Sequence, residues 1–224
     1  MALQNEIAAV TDGAHFVRAD LHIHSFGAGG SYDVKDATMT ATRSVDAAIN
    51  EKLKVIAIAD HNAIGNVRAA LTHAAGKDIL VVPAVELTTQ QGHLLVYFPA
   101  IDNLEVFYGK QQISVDKKAC HNTIPQCLQL AQEFKGVGIL AHIDGEAGLE
   151  HAHPKFDAFK QEVINCGNLL GIEIIDPGNV AWSSHLDAHP DRKNCAAIRR
   201  TTLAHEADVH IAKVIRSGEC GPRR

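Results

Sequence analysis

No two of the five cysteines, Cys120, Cys127, Cys166, Cys195 and Cys220, have C-x-x-C spacing, and their number is odd. That speaks against a disulfide framework and against a cysteine-based zinc site, and leaves free, mostly buried thiols as the expectation. No apolar run approaches the roughly 18 residues that a membrane-spanning helix needs. The start, Met1-Ala2-Leu3-Gln4-Asn5-Glu6, lacks the basic residues and apolar stretch of a secretory signal. A cytoplasmic protein without membrane association is therefore expected. There is no G-x-x-x-x-G-K-[ST] phosphate loop, so ATPase chemistry of that kind has no support. No internal repeat, low-complexity run or clear linker divides the chain.

What is present fits a single globular domain. The chain has 224 residues, of which 46% are hydrophobic, enough for a sizeable core. The net charge of −5 argues weakly against a broad nucleic-acid-binding face. It does not exclude phosphate binding, because metal ions in a site reverse the local charge. The unusual number is 14 histidines, several of them at the ends of apolar segments.

Short β-branched runs predict strands over Phe16–His24, Leu53–Ala59, Ile79–Glu86, His93–Phe98, Val137–His142 and Leu170–Ile175, with a short one at Thr201–Ala204. Helical patterns fall between them. They cover Thr42–Leu53, Asn66–Ala75, Pro125–Phe134 (with Asn122 and Thr123 as candidate caps), Phe156–Asn165 and Asp191–Arg200, and a last one starts at Ile211. Strands alternating with helices suggest a parallel sheet, open or closed. Residues 99–121 read as an irregular insertion, and 144–155 as a loop near a barrel mouth.

Four segments carry candidate chemistry. In Asp20-Leu21-His22-Ile23-His24, strand alternation turns His22 and His24 to one face and Leu21 and Ile23 to the other. Two imidazoles so spaced can chelate a cation, with Asp20 on their face as support; an incidental pair is the plainer alternative. Asp60-His61-Asn62 follows an apolar strand, where α/β folds build sites. His61 is a candidate ligand oriented by Asp60, or the triplet caps the next helix. Glu86 ends a third apolar strand and could bridge two cations, and His93 opens the next; alone, both would pass for solvent-facing residues. His142 closes a further strand after Ile139-Leu140-Ala141. Histidine with carboxylate and no thiol suits zinc, manganese or iron.

Taken in order, Asp20-Leu21-His22-Ile23-His24-Ser25, Ala59-Asp60-His61-Asn62, Val85-Glu86 with His93, and Ala141-His142 resemble the PHP (polymerase and histidinol phosphatase) family. The resemblance is clear over residues 16–175. It implies an α/β fold, a distorted seven-stranded (β/α) barrel, with two or three divalent metals at its rim. It maps ligand positions onto His22, His24, His61, Glu86, His93 and His142. Family members often place an Asp before a Thr-Pro helix start. Asp36-Ala37-Thr38-Met39-Thr40-Ala41 fits that slot, which selects Asp36 over Asp33. The longer loop Gly27-Ala28-Gly29-Gly30-Ser31-Tyr32-Asp33 is similar to PHP domains at the front of some ATPase-containing proteins.

The family's last motif is an Asp-x-His. Asp208-Val209-His210 is the preferred candidate, and Asp187-Ala188-His189 the alternative. Neither carries the usual Gly-Ser before the Asp, and little chain remains for a closing helix. The implied layout is an N-terminal extension at 1–15, a metal-binding domain at 16–215 and an atypical tail at 216–224. The implied activity is hydrolysis of a small phosphorylated substrate by a metal-activated water, with nucleic acid less favoured. A non-catalytic structural or partner-binding module is the alternative that the atypical last motif motivates.

Overall fold

A computed structural model of the chain describes residues 17–175 and the backbone of two further strands, Ala196–Thr201 and Ile211–Val214. The described residues form a mixed α/β fold around a curled sheet. Its strands are β1 (Ala19–Ile23), β2 (Val55–Ile58), β3 (Leu80–Thr89), β4 (Gly92–Tyr97), β5 (Val137–Leu140), β6 (Leu169–Ile174), β7 (Ala196–Thr201) and β8 (Ile211–Val214). The helices are α1 (Ala41–Asn50), α2 (Val67–Ala74), α3 (Ile101–Gly109), α4 (Ile124–Glu133), α5 (Leu149–Ala152) and α6 (Ala158–Ile164). Among these residues no helix is long and apolar enough to cross a membrane.

The strands pair in sequence order, and β8 returns to β1 to close the ring. β1, β2 and β3 are parallel, as are β5, β6 and β7. β4 is antiparallel to both its neighbours, and so is β8. The ring therefore has eight strands where seven were expected. The extra strand is β8, in the segment read as a final helix. The helix expected over Asp191–Arg200 overlaps the strand Ala196–Thr201, and Thr201 is that strand's end rather than the start of one. Ala196-Ala197-Ile198-Arg199-Arg200 suits a helix by propensity, but ladders to β6 and β8 on both sides override that weak preference.

Side-chain alternation separates an inner from an outer layer. Ala57, Ala59, Ala84, Leu95, Tyr97, Ile139 and Ala141 pack together inside the ring. Their strand neighbours point outward. Ile56 and Ile58 pack with Val45 and Ala48 of α1 and Ala70 of α2. Val85, Leu87, Leu94, Val96 and Leu140 pack with Leu104 and Phe107 of α3 and Leu128 of α4. Ala57, Ala59, Ala84 and Ala141 keep the inner layer small, and Leu95, Tyr97 and Ile139 fill the remaining space.

The helix starts follow local chemistry. Thr40 caps α1, its side chain accepting from Arg43 N. Thr123 and Gln126 form a capping box on α4, with Pro125 in the first turn, which is the start expected from Asn122-Thr123. The stretch read as irregular from 99 to 121 contains a full helix, α3, whose Leu104 and Phe107 are buried. Its single apolar stripe is short, which is why periodicity did not reveal it. Cys120 and Cys127 are free and buried, as expected, and Cys166 is free and partly buried. Cys195 and Cys220 lie outside the described residues.

Candidate metal centre

Glu86 is the hub of the site. It is fully buried near the end of β3. Its Oε2 lies 2.7 Å from His22 Nε2, 3.2 Å from His24 Nε2 and 3.4 Å from His61 Nδ1. Its Oε1 lies 2.9 Å from His93 Nδ1 and 3.0 Å from His142 Nε2. Five imidazoles thus meet one carboxylate. The sequence expectation that all five histidines and Glu86 share one rim agrees with this geometry.

The topology explains the convergence. His22 and His24 lie at the end of β1, His61 follows β2, and His142 follows β5. All leave their strands at the carboxyl end. His93 comes at the start of β4, but β4 runs the other way, so its start meets the same rim, with His93 paired to Thr88. Gly92 makes the tight turn possible, with φ +117°. A Cβ there would sit 2.7 Å from Leu149 N, so only glycine fits.

β1 departs from simple alternation. Leu21 packs among the inner residues, while Ile23 packs in the outer layer against α1 and α2. The expectation that both share one face is corrected here. The ladder to β2 shifts register between Asp20 and Ile23, and Tyr97 Oη donates to the Leu21 carbonyl at 2.9 Å. This irregularity re-aims the histidine pair at the ring's mouth.

The carboxylates divide differently from the sequence reading. Asp20 is buried, and its Oδ1 accepts from the His22 backbone N–H at 3.1 Å, so it supports that residue's backbone. Asp60 was expected to orient His61. Its Oδ2 instead accepts from Ser25 Oγ at 2.7 Å and its Oδ1 from Ser25 N, fixing the turn after His24. Burial pushes the Asp60 carboxyl up to about 6, against the pull of the Ser25 hydrogen bonds. Asp36 is exposed, and its Oδ1 accepts from Thr38 N at 2.8 Å in a local turn. It is Asp33 whose Oδ2 comes within 3.5 Å of His61 Nε2. The hydrogen bond to His61 holds the Asp33 carboxyl well below the usual range. The loop from Ser25 is longer than the simplest pattern, which moved the acid three positions earlier than motif alignment suggests.

Glu173 is the residue sequence reasoning missed. It is buried in β6. Its Oε2 lies 3.0 Å from His22 Nδ1 and accepts from His142 N at 3.0 Å. It is the single acid in Leu169-Leu170-Gly171-Ile172-Glu173-Ile174, near the carboxyl end of a strand. That is the same signal that picked out Glu86. His142 has φ +27°, an uncommon backbone for a side chain of its size. Its contacts to Glu86 and Glu173 hold it there.

Burial alone would lower His22, but the charges of Glu86 and Glu173 and hydrogen bonds to both outweigh it and raise it to about 10. Burial likewise opposes ionisation of Glu86, yet the surrounding rings, His22 foremost, hold it well below its ordinary value. Among the described residues, two groups have donor atoms within 4.8 Å of one another: His22, His24 and Glu86, and His61, Glu86 and His93. Glu86 belongs to both. Asp208, His210, Asp187 and His189 lie outside the described residues.

No family model matches the sequence, and no curated protein matches it. The fold does match solved structures. One is the lesion-specific endonuclease PfuEndoQ from Pyrococcus furiosus, with TM-score 0.62 and 16% identity over 82% of this chain and 47% of that one. A second is Endonuclease Q in complex with duplex DNA bearing an abasic lesion, with TM-score 0.59, 15% identity, and 81% and 47% of the two chains. A third, from Bifidobacterium adolescentis, bears the designation metal-dependent phosphoesterase, with TM-score 0.56, 14% identity, and 81% and 85% of the two chains. The chain spans about half the length of the endonuclease structures it matches. At these identities the likeness is one of fold, and it agrees with the PHP resemblance that the ordered histidine and carboxylate motifs carry.

Proposed function

We propose that the chain is a metal-dependent phosphoesterase. The observation that carries the reading is the convergence of His22, His24, His61, His93 and His142 on the buried Glu86. Nitrogen and oxygen donors without thiolate suit zinc, manganese or iron. The residues that would hold two or three such cations are these six, with Asp33, which reaches His61, rather than the exposed Asp36. Asp208 and His210, which precede β8 in the chain, are proposed as the last pair, with Asp187 and His189 as the alternative. Bound divalent cations would supply Lewis-acid polarisation of phosphate oxygens and would lower the pKa of an attacking water.

The chain's own residues then have distinct tasks. Glu86 is common to both donor groups, its Oε2 facing His22, His24 and His61 and its Oε1 facing His93. Glu173 accepts from His22 Nδ1 and so fixes which ring nitrogen faces Glu86. Asp20 and Asp60 hold the β1 end in place through His22 N and Ser25.

The test is hydrolysis of a panel of phosphate esters with added manganese or zinc, comparing the natural chain with Glu86→Gln. Metal-dependent turnover that the variant loses supports the reading. Unchanged turnover in the variant removes Glu86 from the mechanism. No bound metal by elemental analysis after incubation with both ions would favour a non-catalytic module.

A nucleic-acid ester is the second reading of the substrate. The fold likeness to Endonuclease Q favours it, while the net charge of −5 favours a small phosphorylated compound. Comparing cleavage of a mononucleotide with cleavage of single-stranded DNA separates the two.

A further inference from the structure

Tyr32 is a large aromatic residue left 39% exposed beside an otherwise buried cluster. Its ring centroid lies 5.4 Å from that of His61, the planes tilted by 33°. The next residue, Asp33, reaches the same histidine.

The loop that carries Tyr32 is held on several sides. Ser31 N donates to the Ser25 carbonyl at 2.9 Å, and Gly30 N to the Gly27 carbonyl at 3.0 Å. Ser31 Oγ accepts from His61 N at 3.1 Å, and the Tyr32 carbonyl accepts from Lys35 Nζ at 3.1 Å. Asn66 Nδ2 donates to Ser25 Oγ and to the Phe26 carbonyl. Gly29 and Gly65 approach so closely that a Cβ on Gly65 would stand 2.7 Å from Gly29 Cα. An aromatic ring on a backbone fixed in this way is presented rather than merely uncovered. It loses little freedom when a partner stacks on it. What an uncharged aromatic face next to a phosphate site selects is a flat, polarisable group attached to that phosphate.

We propose that Tyr32 is a stacking platform that gives the site a preference for phosphate esters carrying a nucleobase. This inference rests on the phosphoesterase reading and names its substrate class. Base–aromatic stacking supports a preference of about ten- to a hundredfold.

The experiment uses two matched pairs of probes. One is thymidine 5′-monophosphate against ribose 5-phosphate. The other is a single-stranded oligothymidylate against a strand of equal length without bases. Each is measured for kcat/KM with manganese and, separately, for Kd by calorimetry, which reads the stack even without turnover. The natural chain should prefer the base-bearing member of at least one pair. Tyr32→Ala should reduce that preference about tenfold or more, and Tyr32→Phe should keep it. The pair that responds tells a nucleotide from a strand. A preference unaltered in Tyr32→Ala, or absent in the natural chain, overturns the inference. Base-selective binding without hydrolysis of any probe would instead overturn the phosphoesterase reading and leave the platform standing.

Discussion

His22 and Glu173 face each other across the ring's mouth, with His22 Nδ1 3.0 Å from Glu173 Oε2 while the opposite ring nitrogen meets Glu86 at 2.7 Å. An imidazole so placed has one nitrogen fixed as a donor and the other presented as a ligand. Carboxylates behind metal-binding histidines typically contribute about 10- to 100-fold in affinity. Glu173→Gln should therefore weaken manganese or zinc binding by about that factor, read by competition with a chelator, while the fold stays intact. Equal affinity in the variant would reduce Glu173 to a packing role.

Protonation in the metal-free protein gives a second expectation. The folded pKa of His22, about 10, exceeds its unfolded value. Its stabilising contribution is thus complete below about pH 6.5 and is lost as pH rises toward 10. Glu86 is displaced the opposite way, so its contribution is present above about pH 4.5 and is lost in acid. These two groups together contribute most between those limits. The melting temperature of metal-free protein should fall by roughly 5 °C or more between pH 7 and 10. Calorimetric scans check this, and a flat profile would mean that the His22–Glu86–Glu173 contact contributes nothing. Metal binding should release protons in the same range and tighten as pH rises.

The two aspartates of the first loop make separate predictions. Asp33→Ala should lower bound metal, because Asp33 reaches His61. Asp36→Ala should leave metal content as it is, because its carboxylate bonds to Thr38 in an exposed local turn. Elemental analysis of the two purified variants decides, and the opposite ranking would restore the motif-based choice.

Gly92→Ala places a Cβ against Leu149 N in a backbone of positive φ. A cost of about 1–3 kcal/mol is expected, seen as a lower urea midpoint. Since His93 follows directly, metal affinity should fall with it. A variant of unchanged stability would show that the hairpin and α5 can part without cost.

The first six strands, Glu86 and the five histidines around it are legible in the sequence for one reason. Each is a polar residue punctuating an apolar run, and the parallel topology gathers such ends on one rim. Three features resisted. Glu173 obeys the same rule, but it sits one position inside its strand, flanked by Ile172 and Ile174, where it reads as part of an apolar run. Asp33 and Asp36 differ by three positions in a loop whose path depends on Ser31, Gly29 and Asn66, contacts that no local pattern encodes. β7, rich in alanine and arginine, and the short β8 take their conformation from the strands they pair with rather than from local pattern.

The reversed direction of β4 has a consequence for how the site is assembled in time. His93 and Glu86 are only 7 residues apart in the chain, joined by a tight turn, whereas His22 and Glu173 are separated by 151. Hairpins of this kind close in about 1–10 μs, and long-range pairings are slower because a large loop must be closed first. Folding should thus deliver Glu86 with His93 at the outset and add the remaining histidines as the ring closes. Capacity for a metal ion would then report ring closure, and the rate at which refolding protein acquires manganese would time the last long-range contact rather than the first turn.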